Sequence, residues 1–186
     1  CLTYDDLFFE KVKLGDLLCS CPSELSERDV YRVNLPEYMV MGNLILPSST
    51  MVKREYVEKF DEDLWNYEDY EWFSRLSKKC QAVYLDIPTV LYRKHENNLS
   101  SDKNLERRLR NYFFVTERLW AKDPNFYRRY KDMVDQALSK KAYGLGKYYY
   151  ANKRYHEAIN MFQISLNYRK WAKGSYAYLF FAFLRS

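Results

Sequence analysis

Three carboxylates sit among four aromatic rings in the run Tyr67-Glu68-Asp69-Tyr70-Glu71-Trp72-Phe73. Asn66 ahead of them and the acids themselves predict a helix from about Asn66 to Lys79. A side-chain oxygen at the N-cap and negative charge in the first turn both suit the positive end of a helix dipole. At about 100° per residue, with Asp69 at zero, Leu76 falls near −20°, Cys80 near +20°, Phe73 near +40° and Trp72 near −60°. Asp69 therefore lies in the middle of the apolar stripe, with Glu68, Glu71, Arg75, Lys78 and Lys79 to the other side. An inward carboxylate costs free energy unless something pairs with it. Two readings are open. Asp69 completes a capping box with Asn66, or it is held at a helix N-terminus facing a cleft, where a general base or a metal-linked acid belongs.

The chain that must position this run has 186 residues, 47% apolar and 18% aromatic, with 19 tyrosines. That is enough for a packed core and excludes disorder as the governing state. So many tyrosines must lie partly in grooves or between helices. The net charge of +5 hides an asymmetry: residues 1–102 hold 12 Lys and Arg against 19 Asp and Glu, and residues 103–186 hold 18 against 6. Two modules are expected, 1–100 and 101–186, the second suited to an anionic membrane face, an acidic polymer or simply solvent. No motif of an RNA- or DNA-binding module accompanies the basic half, so no nucleic-acid partner is expected. Of Cys1, Cys19, Cys21 and Cys80, Cys19 and Cys21 stand too close for an ordinary bridge and no second close pair completes a zinc site, so the four read as free thiols in a reducing compartment. No secretory leader or apolar run of about 18 residues is present. The expected location is cytoplasmic, with peripheral contact at the inner membrane face through the basic tail. A chain that opens on Cys1 rather than Met reads as a piece of something longer.

Short strands are expected at Leu2–Tyr4 and Leu7–Phe9, and loop or a short helix from Ser20 to Arg32. A brief helix over Leu35–Met41 is stopped at Gly42-Asn43. A mostly buried strand follows from Leu44 to Val52, interrupted at Pro47-Ser48-Ser49, and then a short helix at Lys53–Lys59. Strands are expected at Ala82–Ile87 and Thr89–Arg93, and a polar loop through His95 ends the first module. Beyond Ser101 the period is helical. Leu105, Leu109, Tyr112, Phe113, Thr116, Leu119 and Trp120 form one stripe. Asp123-Pro124 reads as an N-cap with proline at the first helical position. Leu145-Gly146-x-x-Tyr149, Ala158, Phe162 and Ser165 fit the tetratricopeptide spacing, and a shift of 34 residues lays Leu145 on Leu179 and Tyr149 on Phe183. An ordinary helical hairpin would look the same.

Four groups of residues, in order, carry a resemblance. They are Asn43-x-Ile45-x-Pro47-Ser48-Ser49-x-Met51-Val52-x-Arg54; Phe60-Asp61-Glu62; Glu68-Asp69-Tyr70-x-Trp72-x-x-Arg75-Leu76; and Tyr92-Arg93-Lys94-His95-x-x-Asn98-x-Ser100. Together they resemble the C-terminal, acceptor-side half of family 2 inverting glycosyltransferases of the GT-A fold. The resemblance covers roughly residues 1–100, and most firmly 43–100. It implies an α/β fold, a partial GT-A domain, followed by an all-α tail with a tetratricopeptide-like hairpin.

By that resemblance Asp69 is the catalytic base on the acceptor hydroxyl. Glu68 and Trp72 belong with the substrate, the Ser48-Ser49 strand lines the sugar pocket, and His95 helps to ligate a divalent metal, manganese or magnesium. The partners implied are a nucleotide-sugar donor and a glycan or lipid-linked acceptor. The nucleotide-binding half and its Asp-x-Asp metal motif have no counterpart in this sequence, and Glu58-Lys59 stands where Gly-Gly precedes Phe-Asp-Glu in the family. The metal is therefore expected only in a complete protein, and the chain alone is expected to be catalytically silent. The alternative is a helical-repeat interaction module attached to a degenerate transferase domain.

Overall fold

The computed structural model describes residues 9–12, 30–43, 45–85, 90–91 and 104–185. The chain divides into two compact units, residues 1–60 with 72–93 and residues 61–71 with 94–186. The division departs from a single cut near residue 100, because 61–71 packs with the later segment. Most of the described residues are helical, with one small sheet.

In the first unit, strands β1 (Phe9–Val12), β2 (Val30–Val33) and β3 (Ala82–Leu85) form an antiparallel sheet in the order β1-β2-β3. The register pairs Phe9 with Val33 and Val30 with Leu85. β2 begins inside the stretch expected to be loop or short helix; its two valines and Tyr31 are β-formers, and Tyr31 meets Tyr84 across the ladder at 6.1 Å. The expected strands at 2–4, 7–9 and 89–93 lie wholly or mostly outside the described residues; of 7–9 only Phe9 is described, as the first residue of β1. α1 (Leu35–Met41) has proline in its first turn, closes at Gly42 and buries Leu35, Met39 and Val40.

The expected strand over 44–52 is replaced by a 3-10 turn, Pro47–Ser49. Pro47 brings no N–H to a ladder, and the Leu46 carbonyl accepts from Ser49 Oγ at 2.9 Å and Thr50 Oγ1 at 3.0 Å. Local hydroxyl bonds thus take the place of strand pairing. The expected helix over 53–59 is likewise a single 3-10 turn, Arg54–Tyr56.

α2 (Glu68–Ser77) carries the organising run, and the unit boundary falls inside it. Its later half is anchored in the first unit. Trp72 Nε1 donates to the Glu58 carbonyl at 2.7 Å, the Trp72 ring stacks on Phe60 at 5.3 Å, and Arg75 and Lys79 both bind the Glu58 carboxylate. Hydrogen bonding to Lys79, above all, holds the Glu58 carboxyl below its ordinary range. Leu76 of α2 is buried, whereas Val83 and Leu85 of β3 are 45% and 38% exposed and Leu91 is fully exposed.

The second unit is helical. α3 (Leu105–Thr116) runs into a π-helical turn, Glu117–Ala121, and is followed by α4 (Pro124–Ala151), α5 (Tyr155–Tyr168) and α6 (Lys173–Phe183). Phe113, Thr116, Leu119 and Trp120 of the expected stripe are buried, with Leu105, Leu109 and Tyr112 half-buried beside them. Asp123 caps α4 as its sequence predicts, accepting from Phe126 N at 3.1 Å.

α4 and α5 close as a hairpin whose seam is Leu145, Tyr149, Ala158 and Phe162. Gly146 admits the Phe162 ring: a Cβ at that position would stand 2.7 Å from the ring. Ser165 is buried in the same seam and bonds to the Ser139 carbonyl at 2.9 Å and to Ser175 at 2.8 Å. Leu179, the counterpart of Leu145 in the shifted pattern, packs against this core, whereas Phe183, the counterpart of Tyr149, is exposed. Among the described residues no helix is long and apolar enough to cross a membrane.

Candidate functional site

The run that opened the sequence reading enters α2 through a strained turn. Asn66 and Tyr67 take φ of 74° and 66°, the left-handed region that non-glycine residues rarely enter. Two such residues in succession cost about 1–3 kcal/mol each unless neighbours hold them. Neighbours do. Asn111 Nδ2 donates to the Trp65 carbonyl at 2.8 Å and reaches the Asn66 carbonyl at 3.4 Å. The Tyr67 ring stacks on Tyr112, 4.7 Å between centroids and 5° from parallel.

This geometry removes Asn66 from the N-cap, so the capping box with Asp69 does not form. Asp69 is half-buried, and its Oδ1 accepts from the N–H of Tyr70 at 2.6 Å, a bond that fixes the carboxylate at the start of the helix. Glu68 beside it has a buried Oε2, and Asn66 a buried Nδ2, neither with a hydrogen-bond partner among the described residues. Buried polar atoms of this kind are uncommon and call for a partner.

An inward position on the helical wheel does not single out Asp69. The buried set on α2 runs from Trp72 through Phe73, Leu76, Ser77 and Tyr70 to Ser74 and Glu71. That is well over half the circumference. Glu71, placed on the outer side by the wheel, is 4% exposed and lies 3.4 Å from Arg118, which also binds Asp61 at 2.8 Å.

Behind the turn is an aromatic and cationic cluster that no local pattern announced. Tyr70 meets Tyr112 edge-on at 5.3 Å; its hydroxyl bonds with Thr116 Oγ1 and accepts from Trp120 Nε1, both at 3.2 Å. Lys141 Nζ lies over Tyr112, 4.2 Å from the ring centroid. Burial, with a contribution from Lys140, lowers the Lys141 ammonium to about 7. The Tyr67 phenol is pushed above its ordinary value chiefly by burial, with Arg108 opposing and the Asp69 carboxylate adding to the rise. It therefore stays a hydrogen-bond donor at neutral pH.

Ser48 and Ser49 are exposed in the 3-10 turn of the first unit, not in a buried strand, and the Ser49 hydroxyl is bonded to its own turn. Trp72 is buried, with its indole N–H taken by Glu58 and its ring stacked on Phe60. His95 lies outside the described residues. Among those described, no group of three His, Cys, Asp or Glu side chains could hold a metal ion.

In comparisons with known proteins, no family model, curated protein or solved structure matches the chain.

Proposed function

We propose that the chain is the acceptor-side part of an inverting glycosyltransferase of the GT-A type, with Asp69 as general base. The observation that carries this reading is the carboxylate pair at the start of α2. Asp69 is fixed by the Tyr70 N–H, and Glu68 holds a buried oxygen without a partner among the described residues. An acceptor hydroxyl would meet both needs. Glu68 Oε2 accepts a hydrogen bond from one hydroxyl of the acceptor, and Asp69 takes the proton from the hydroxyl that attacks the anomeric carbon.

The new C–O bond forms as the bond to the diphosphate breaks on the opposite face, which inverts the centre. The strained turn holds the two carboxylates at the helix N-terminus, where the backbone dipole stabilises their charge. A divalent ion, when bound, neutralises the leaving diphosphate; His95 is its candidate ligand in this chain. The donor and its metal belong to a nucleotide-binding half, and the basic second unit suits an acidic polymer or an anionic membrane face.

The test is sugar transfer by a protein that joins this chain to its donor-binding half. Asp69→Asn keeps size but cannot accept the proton, so turnover should fall by about 10²–10⁴-fold with the fold intact. Near-normal transfer would make Asp69 a helix-terminal acid and nothing more. The chain by itself should be silent; nucleotide-sugar turnover by the purified chain would overturn this division of labour.

A further inference from the structure

α3 carries a second feature that the carboxylate pair does not use. An open cleft of about 580 Å³ lies within the second unit, lined by Glu106, Arg107, Arg110, Asn111 and Phe114 of α3 and by Tyr148 of α4. Its volume is in the range of sites that hold a small ligand or one or two residues of a polymer.

The charges in it are unequal. Glu106 is bound by Arg154 at 2.8 Å, a guanidinium it shares with Glu157, so its negative charge is compensated in part. Arg110 is exposed and makes no hydrogen bond or ion pair among the described residues. The Arg107 guanidinium carbon lies over the Trp65 ring, 4.3 Å from its centroid. A cation–π contact uses the charge of the guanidinium without consuming a hydrogen-bond donor, so its N–H groups can still serve an oxyanion.

Residues three apart on a helix are neighbours, about 5–6 Å between Cβ atoms, and both Arg107 and Arg110 line the cleft. Phe114, 53% exposed, and Tyr148 bring ring faces beside them, and Asn104 and Asn111 bring amides.

We propose that this cleft binds an acidic sugar residue of a polysaccharide, its carboxylate or phosphate held between Arg107 and Arg110. Fork-shaped guanidinium donors fit the planar carboxylate and the phosphate oxygens. Aromatic faces cover the C–H face of a pyranose, and the amides and the Glu106 carboxylate take its hydroxyls. The open form admits a residue inside a longer chain. Identification of that chain as the acceptor rests on the reading above; the binding does not.

The purified chain is titrated, by NMR or calorimetry, with four probes. They are a glucuronate-containing tetrasaccharide, a phosphorylated glucan oligosaccharide, the neutral glucan of equal length, and inorganic phosphate. At least one acidic saccharide should bind about tenfold or more tighter than the neutral glucan, as a charge-assisted pair requires. Which of the two wins separates the carboxylate from the phosphate source.

Arg110→Gln should weaken that binding about tenfold while leaving the helical circular dichroism unchanged, since Arg110 is exposed. Equal binding of acidic and neutral glucans, or no effect of Arg110→Gln, would overturn the proposal. So would inorganic phosphate binding as tightly as the saccharide. Anionic phosphatidylglycerol vesicles bound through Arg110, with no saccharide bound, would replace it with a lipid headgroup site. Asp69→Asn should not change this binding, so the cleft and the transfer chemistry stand or fall separately.

Discussion

Asn111, in the middle of α3, donates through Nδ2 to the carbonyl of Trp65 at 2.8 Å. This bond ties a regular helix to the left-handed turn that sets where α2 begins. Without it, the Trp65 carbonyl loses its partner and the turn loses one of its restraints, among which the Tyr67–Tyr112 stack remains.

Asn111→Ala should therefore destabilise the second unit by about 1–2 kcal/mol, the cost of a lost, partly buried hydrogen bond. The same change should lower transfer in a protein carrying the donor half, because Asp69 is placed by the turn. Denaturant midpoints of wild type and variant measure the first effect. Coincident midpoints would mean that the turn is held by the tyrosines alone.

The seam between α4 and α5 makes a paired prediction at two glycines. A Cβ on Gly146 would stand 2.7 and 2.8 Å from ring carbons of Phe162, which is fully buried and has no room to swing away. The helix-propensity gain of about 1 kcal/mol for Gly→Ala is then outweighed by overpacking of about 1–3 kcal/mol. Gly144 meets nothing within 4 Å. Gly144→Ala should raise the thermal midpoint and Gly146→Ala should lower it. Phe162→Leu should partly rescue Gly146→Ala in the double variant, as expected for residues in direct contact. Two changes of the same sign would refute the close approach.

Asp123 is the best-formed cap among the described helices, with its carboxylate on the Phe126 N–H and Pro124 in the first turn. Asp123→Ala should cost about 1 kcal/mol, and Asp123→Ser should recover most of it. Equal stability of all three forms would assign the helix start to Pro124 alone.

These contrasts separate what the sequence discloses from what it hides. The Gly146–Phe162 seam and the Asp123 cap rest on fixed spacings along a helix, so they were legible residue by residue. The place of α2 was legible too, to within two residues at each end. Its start was not, because the left-handed pair at Asn66-Tyr67 is imposed by Tyr112 and Asn111, more than forty residues away. The wheel chose Asp69 and dismissed Glu71 on the assumption of one buried stripe, whereas α2 is enclosed around most of its girth. Pro47-Ser48-Ser49 reads in sequence as a break within a strand, but the Ser49 and Thr50 hydroxyls bond to the Leu46 carbonyl and the strand does not form. The arginine cleft stayed hidden because Tyr148 joins Arg107 and Arg110 only through packing of α4 on α3.

Lys141 offers the most direct test of the packing around the candidate base. Its ammonium sits over Tyr112 in a site where burial and Lys140 lower it from 10.5 to about 7. The unfolded chain keeps this proton up to about pH 10.4. Between those values the unfolded state binds more protons than the folded one, so stability rises with pH across that window. The Tyr112 face favours the charged form and offsets part of the effect, which leaves about 2–4 kcal/mol between pH 6.5 and 9.5. Above pH 10 the trend reverses. Burial holds the phenols of Tyr67 and Tyr149 above their ordinary value, so their stabilising share is lost as pH rises through the folded values. Lys141→Met keeps the aliphatic stem and removes the proton site. Wild type should gain stability from pH 6.5 to 9.5 in denaturant titrations, while Lys141→Met should show little of that gain and be the more stable form at pH 6.5. Parallel profiles for the two proteins would show that Lys141 keeps its proton and that the cluster behind Asp69 is open to water.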